Sequence, residues 1–280
     1  MERPDWLNKK IDIKEYDRMR ARLKPYGLHT VCEEARCPNI SECFAKNTAT
    51  FLILGDVCTR KCLFCGVKKG SVNPPDISEP SRVAGAVVEL GLKYAVITGV
   101  TRDDLPDRGS AHYAEVVKVV KNTDDSIRVE LLIPDFDGLR DNIAAICAAG
   151  PDVIGHNIET VRRLYEYCGR DEYRYEVSLS TLETIKSVNK EQKTKSGIML
   201  GLGETEEEVI ETMNDLREVN CDLLSIGQYL SPSSDCVPVA GYITPEKFVY
   251  YKDQALNMGF EHVMSGPYVR SSYLADEYVV

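Results

Sequence analysis

The chain of 280 residues has no excess of positive charge. It carries 34 lysines and arginines against 44 aspartates and glutamates, a net of −10. That balance argues against a protein that holds nucleic acid mainly by charge, which needs a basic face. Long apolar runs are missing too. The longest, such as Phe51-Leu52-Ile53-Leu54, have strand length and fall far short of the roughly 20 residues that cross a bilayer. No apolar stretch follows the charged start Met1-Glu2-Arg3-Pro4-Asp5, so a secretory signal is not expected and a cytoplasmic location is. No internal repeat, low-complexity tract or long linker stands out. With 43% hydrophobic and 28% charged residues, the composition excludes disorder, collagen and coiled coil. A chain of this length buries roughly three quarters of its unfolded surface and needs no disulfide.

Cysteine is what the sequence has in quantity. There are ten, and six fall between positions 32 and 65. In a reducing compartment such clustering reads as metal ligands or redox groups.

Apolar runs of strand length occur at Thr50–Leu54, Tyr94–Thr98, Ile127–Ile133, Asp152–Gly155, Gly197–Leu200 and Cys221–Tyr229. Between them, helical spacing predicts helices over Ser81–Leu90, His112–Val120, Leu139–Ala149, Thr160–Tyr167, Leu179–Val188 and Glu206–Val219. This alternation implies an α/β fold with parallel strands and right-handed crossovers. Six units are too few for a closed eight-unit barrel, so a partial (β/α)6 barrel is expected. Its active site belongs at the C-terminal strand ends. Residues 1–49 read as an N-terminal extension, 50–235 as the barrel and 236–280 as a C-terminal extension. The last contains a helix from Thr244-Pro245 to about Met258 and a strand candidate at Phe260–Met264. Up to Val31 there are eight bases and five acids, a net of +3, and the remainder carries −13.

Cys58, Cys62 and Cys65 form a C-x3-C-x2-C triplet directly after the first strand. Three thiolates on one tight loop can hold three irons of a [4Fe–4S] cube and leave the fourth open to a small molecule. Cys32, Cys37 and Cys43 form a second triplet, C-x4-C-x5-C, which implies a second, auxiliary cluster. Zinc sites and ordinary buried cysteines are the competing readings. A single six-cysteine zinc cluster is disfavoured by the strand between the triplets. Cys147 and Cys221 read as core, Cys168 as structural, and Cys236 as a loop residue with core still the preferred reading.

Together these residues resemble the radical S-adenosylmethionine superfamily and, within it, the lipoyl synthase family. The first triplet, with Phe64 before its last cysteine, is that superfamily's cluster motif, and the upstream triplet marks the family. The similarity continues through Arg102-Asp103-Asp104-Leu105, Pro134-Asp135-Phe136, His156-Asn157-Ile158-Glu159-Thr160, Thr194-Lys195-Ser196-Gly197, Gly201-Leu202-Gly203-Glu204-Thr205, Ile226-Gly227-Gln228-Tyr229-Leu230 and Ser265-Gly266-Pro267. It ends at Arg270-Ser271-Ser272-Tyr273.

The resemblance implies two [4Fe–4S] clusters and S-adenosylmethionine. One cluster chelates the cofactor and the other donates sulfur. The implied reaction inserts two sulfur atoms at C6 and C8 of an octanoyl chain on a lysine of a lipoyl carrier protein, a lipoyl domain or the glycine-cleavage H protein. An electron donor such as ferredoxin or flavodoxin is implied, as is an iron–sulfur carrier that rebuilds the auxiliary cluster. Ser271, with Ser272 as fallback, is implied as the oxygen ligand that completes the auxiliary cluster. Cofactor contacts are implied for Phe64, Thr98, Asn157, Glu159, Gly201 and Glu204. No catalytic residue beyond the cluster ligands is implied, and His156 reads as a core histidine. Thr205 with Glu208 makes a capping box, so Glu204 also has a structural reading.

The sequence departs from the family at Gly99, where serine is usual, at Arg162, where proline is usual, and at Cys236, where histidine is usual. Another sulfur-inserting radical enzyme and a zinc-stabilised binding module are the alternatives. An acidic carrier would also suit the basic segment Lys9, Lys10, Lys14, Arg18, Arg20, Arg22 and Lys24.

Overall fold

The computed structural model describes residues 3–9, 12–46 and 48–275; Lys10 of the basic segment lies outside them. The chain forms two units. One comprises Lys9–Arg60 and Gly66–Ile154, and the other Met1–Asn8, Lys61–Cys65 and Gly155–Val280.

The first unit opens with α1 (Ile13–Leu23), capped by the Asp12 carboxylate, which accepts from the Lys14 amide at 2.9 Å. A single 3-10 turn follows at Lys24–Tyr26, closed by Gly27 at φ 57°. Next come β1 (His29–Thr30), α2 (Val31–Glu34), α3 (Ile40–Ala45) and β2 (Thr50–Ile53). A two-residue pair, β3 (Val57–Cys58) and β4 (Lys68–Lys69), brackets the cysteine loop. Helix α4 (Glu79–Leu90) leads to β5 (Tyr94–Gly99), α5 (Ser110–Thr123) to β6 (Arg128–Leu132), and α6 (Arg140–Ala148) to β7 (Val153–Gly155). β1 runs antiparallel to β2, β2 and β5 are parallel, as are β5 and β6, and β7 lies beside β6.

These strands are apolar runs because helices cover the sheet, as parallel sheets require. On α5, Tyr113, Val116, Val117 and Val120 are fully buried at helical spacing. Each such side chain contributes roughly 1.5–3 kcal/mol.

β7 carries the chain into the second unit. There α7 (Arg174–Val188), β8 (Lys193–Leu200), α8 (Glu206–Glu218), β9 (Leu223–Gln228), α9 (Pro245–Asn257) and β10 (His262–Gly266) follow. β8, β9 and β10 are parallel in that order. The capping box of α8 is formed by Thr205 and Glu208, and the helix buries Val209, Thr212, Met213 and Leu216.

All six expected strands are present as β2, β5, β6, β7, β8 and β9. One expected helix is not: Thr160–Tyr167 contracts to a single 3-10 turn at Arg162–Leu164. Glu159 at φ 71° and the extended Val161 keep the chain out of a helix before Arg162, and Gly169 at φ 69° turns it soon after. The helical residues lie further on, in an α7 that starts at Arg174 rather than Leu179.

Candidate cluster and cofactor site

In the first unit, Thr30 caps α2 with its hydroxyl on the Glu33 amide (3.3 Å), which places Cys32 at the start of the turn, 7% exposed. Arg36, at φ 50°, reverses the chain. The Cys37 amide donates to the Cys32 carbonyl (3.0 Å), and the Cys43 amide to the Asn39 carbonyl (3.0 Å) at the start of α3. The Thr48 hydroxyl also donates to the Cys43 carbonyl, at 2.9 Å.

Burial pushes the Cys32 thiol up to about 12 and the Cys43 thiol up to about 11, and the charge of Cys37 is the next cause in both. All three cysteines lie on the short stretch that runs from α2 to α3. Ligation requires thiolates, and thiols that resist ionising beside one another suit a soft, positively charged iron centre. Nearby, His29 Nδ1 lies 3.3 Å from Glu34 Oε1, and Asp56 joins them. The Lys68 ammonium, 2.5 Å from Asp56 and 4.0 Å from Glu34, is the cation these groups hold.

Most bases of the N-terminal segment are engaged by their own chain. Lys9 pairs with Glu42 at 2.6 Å, Arg18 with Glu15 at 2.8 Å, Arg20 with Glu33 at 3.7 Å and Arg22 with Glu89 at 3.7 Å. Three of these acids, Glu33, Glu42 and Glu89, follow the segment in the chain, while Glu15 lies within it.

Cys58 ends β3, half-buried, and its sulfur accepts from the Arg60 amide at 3.4 Å. The Thr59 amide and hydroxyl both donate to the Thr101 carbonyl, at 3.1 and 2.9 Å. The Thr98 hydroxyl is used within the sheet, donating to the Leu132 carbonyl at 2.8 Å. The departure at Gly99 has a steric cause. A Cβ there would stand 2.6 Å from the Tyr113 hydroxyl and 3.0 Å from the Ile53 carbonyl, so this chain has no room for serine.

The second unit holds Cys62, Phe64 and Cys65, all half-buried. The Leu63 amide donates to the Cys168 carbonyl at 2.8 Å, and the Leu63 carbonyl accepts from the Val237 amide at 2.9 Å. The thiol of Cys236 faces the Cys65 carbonyl at 3.8 Å. Cys168 and Cys221 are fully buried and Cys147, in the first unit, nearly so.

The Ser271 hydroxyl donates to Asn157 Oδ1 at 2.9 Å, above Gly197 of β8. A Cβ on Gly197 would lie 2.8 Å from that Asn157 oxygen and 3.0 Å from Ser271 Oγ. The glycine is there because two implied site residues meet over it. Glu159 bridges to β8 through its own main chain: its amide donates to the Gly197 carbonyl at 3.0 Å, and its carbonyl accepts from the Met199 amide at 2.7 Å. Burial pushes its carboxyl up to about 7, against the pull of Arg170 and a hydrogen bond from Asn157.

Gly201 sits at φ 99°, with Gln228 Nε2 only 2.1 Å from where a Cβ would be. Glu204 accepts from the amides of Gly201 (2.5 Å) and Leu202 (2.9 Å), closing the turn before α8. This is the structural role open to it. His156 is a satisfied core histidine, with Nε2 3.0 Å from Ser178 Oγ.

Sequence reasoning missed Arg60 and its carboxylates Asp103, Asp135 and Asp137. Their signal was present in Arg102-Asp103-Asp104 and Pro134-Asp135-Phe136, both at predicted strand ends.

The radical SAM superfamily profile matches residues 52–216, and that of the N-terminal domain of lipoyl synthase of the radical SAM family matches residues 1–37. A lipoyl synthase of Caldicellulosiruptor bescii is 52% identical over 99% of this chain and 95% of its own length. The chain belongs to the lipoyl synthase family. A second member, from Geobacter sulfurreducens, is 54% identical over 99% of this chain and 90% of its own. Among solved structures, HydG, a maturase of the [FeFe]-hydrogenase, superposes with a TM-score of 0.57 at 16% identity, covering 94% of this chain and 73% of its own. That likeness concerns fold alone. It agrees with the α/β, partial (β/α)6 barrel class expected above. As a family member the chain is a radical S-adenosylmethionine enzyme that inserts sulfur, and the family name implies [4Fe–4S] chemistry and a lipoyl-carrier substrate. Among the described residues, no helix is long and apolar enough to cross a membrane.

Proposed function

We propose that the chain binds two [4Fe–4S] clusters and converts an octanoyl-lysine of a lipoyl carrier protein, a lipoyl domain or the glycine-cleavage H protein, to the lipoyl form by adding sulfur at C6 and C8. The observation that carries this reading is the trio Cys32, Cys37 and Cys43. Family membership calls for a sulfur-donating centre, and these three cysteines lie on one short segment tied by the Cys37 amide on the Cys32 carbonyl and the Cys43 amide on the Asn39 carbonyl.

In this reading Cys58, Cys62 and Cys65 hold the cluster that takes S-adenosylmethionine, and Cys32, Cys37, Cys43 and Ser271 hold the auxiliary one. When bound, these groups supply a 5′-deoxyadenosyl radical and the sulfur atoms, chemistry no side chain can perform. The protein's own part is placement and exclusion of water. Asn157 orients Ser271 through their hydrogen bond. Gly201 allows close approach at the strand end, and Glu204 keeps that turn closed. Phe64, Thr98, Asn157 and Glu159 are assigned to the cofactor's side of the site. An oxygen ligand is a poorer match to iron than thiolate, which suits a cluster that is dismantled in use. Residues 1–49 and 236–280 thus serve as extensions that bring auxiliary ligands to the 50–235 barrel. A ferredoxin or flavodoxin supplies electrons, and an iron–sulfur carrier restores the auxiliary cluster.

The test is anaerobic reconstitution with an octanoyl-lysine peptide, S-adenosylmethionine and reductant, followed by mass spectrometry. Two added sulfurs with two 5′-deoxyadenosines per product are expected. Formation of 5′-deoxyadenosine without sulfurated peptide would refute the reading.

A further inference from the structure

Arg60 lies between the first two cysteines of the C-x3-C-x2-C triplet, yet it is held like a structural centre. Its side chain is 12% exposed. Nε and Nη2 donate to Asp103 at 2.9 and 3.0 Å, and Nη1 and Nη2 donate to Asp135 at 2.5 and 2.6 Å. Nη2 also reaches Asp137 at 3.4 Å. Asp135 is completely buried. The carboxylates come from the segments that leave β5 and β6, and Arg108 supports them through Asp137 at 2.9 Å and the Asp103 carbonyl at 2.6 Å.

One forked guanidinium–carboxylate pair fixes orientation as well as distance. Two forks on one guanidinium leave the attached backbone little freedom. Thr59, bonded to the Thr101 carbonyl through both its amide and its hydroxyl, removes more. What this double anchor holds in place is the Arg60 amide, which donates to the Cys58 sulfur at 3.4 Å. Hydrogen bonds to ligand sulfurs are among the levers that set an iron–sulfur potential. A donor stabilises the added negative charge of the reduced cluster, so its loss makes reduction harder.

We propose that Arg60 is a positioning residue whose ion pairs with Asp103 and Asp135 fix its amide on the Cys58 sulfur, and that this contact tunes the reduction potential of the cluster bound by the loop. The inference rests on the assignment of Cys58, Cys62 and Cys65 to the S-adenosylmethionine cluster.

The experiment is an anaerobic redox titration of the holoenzyme and its Arg60→Lys and Arg60→Gln variants, followed by electron paramagnetic resonance, with iron analysis of each. Lysine keeps the charge but has no fork. Both variants are expected to bind the wild-type amount of iron. Both should shift the reduction equilibrium against the reduced cluster by about tenfold, about 59 mV for one electron. A wild-type potential in both variants overturns the proposal, and so does a shift confined to Arg60→Gln, which would be charge alone. If neither variant binds iron, Asp103→Asn decides. Loss of one negative charge by itself eases reduction, whereas loss of the fork makes it harder. A potential that rises or stays level in Asp103→Asn overturns the proposal. The auxiliary cluster adds its own signal, so the titrated signal is the part that disappears in Cys62→Ala, and a spectrum and iron content unchanged in Cys62→Ala would show that the loop assignment itself had failed.

Discussion

Gly227 of β9 gives the sharpest test of how the C-terminal tail is seated. Its φ is negative, so the backbone there would accept alanine. The obstacle is contact. A Cβ would stand 2.1 Å from the Val269 carbonyl oxygen and 3.0 Å from its carbon. Both are main-chain atoms, so no rotamer change makes room. The strain can relax in two ways. The tail can stay and compress its surroundings, at about 1–3 kcal/mol. Alternatively it can lift, exposing Val269, now 6% exposed, at about 1.5–3 kcal/mol. The Ser271–Asn157 hydrogen bond, about 1 kcal/mol net, is then lost as well.

With a main-chain oxygen only 2.1 Å away, compression runs past the top of that range, so the tail lifts and Gly227→Ala should lose about 2.5–4 kcal/mol in anaerobic denaturation. Hydrogen exchange should accelerate across residues 267–273. On the proposed assignment of Ser271 to the auxiliary cluster and of Cys58, Cys62 and Cys65 to the other, sulfurated product should fall further than S-adenosylmethionine cleavage. Gly241→Ala is the control: nothing lies within 4 Å of its added carbon, so its stability should stay within about 0.5 kcal/mol. An unfolding midpoint and exchange pattern equal to wild type in Gly227→Ala would refute the reasoning.

Four further outcomes are expected. Gly99→Ala should cost about 1–3 kcal/mol by overpacking against the Tyr113 hydroxyl, and Gly99→Ala/Tyr113→Phe should recover part of it in the same denaturation assay. The Glu159 carboxyl holds its proton to about 7 in the fold, against 4.5 as its ordinary value. The stability this contributes is complete below the ordinary value and lost as pH rises through 7. Relative to Glu159→Gln, the wild-type unfolding free energy should fall by up to about 3 kcal/mol between pH 4.5 and 7.5. On the proposed two-cluster assignment, Cys32→Ala should reduce iron from about eight to about four per chain, measured by iron analysis, while cofactor cleavage continues and sulfurated product is lost. Thr205→Ala removes the α8 cap and should cost about 1 kcal/mol in thermal or chemical unfolding.

The strands and most helices were legible because periodicity is a local property. Val116, Val117 and Val120 announce the buried face of α5 within one turn, and Thr205 with Glu208 announces its own cap. The cysteine triplets were legible as motifs because ligand spacing is local too. Thr160–Tyr167 misled because its apolar residues keep helical spacing while the positive φ of Glu159, imposed by pairing with β8, blocks the start of a helix.

What spacing does not carry is which distant side chains share a carboxylate or a glycine. The bases of the N-terminal segment read as suited to an acidic carrier, and the sequence did not show that Glu42, Glu33 and Glu89 pair with Lys9, Arg20 and Arg22 from other elements. Arg60 drew no reading from the sequence, and its partners lie 43 and 75 residues onward, at Asp103 and Asp135. By sequence Gly99 stands out only as a departure from the family, and Gly197 and Gly227 only as members of shared motifs. Each is required by an atom from elsewhere in the chain: the Tyr113 hydroxyl, the Asn157–Ser271 pair and the Val269 carbonyl. In this fold the strand ends are specified locally, but the fit of loop and tail onto them depends on glycines and aspartates whose partners only the folded chain brings within reach.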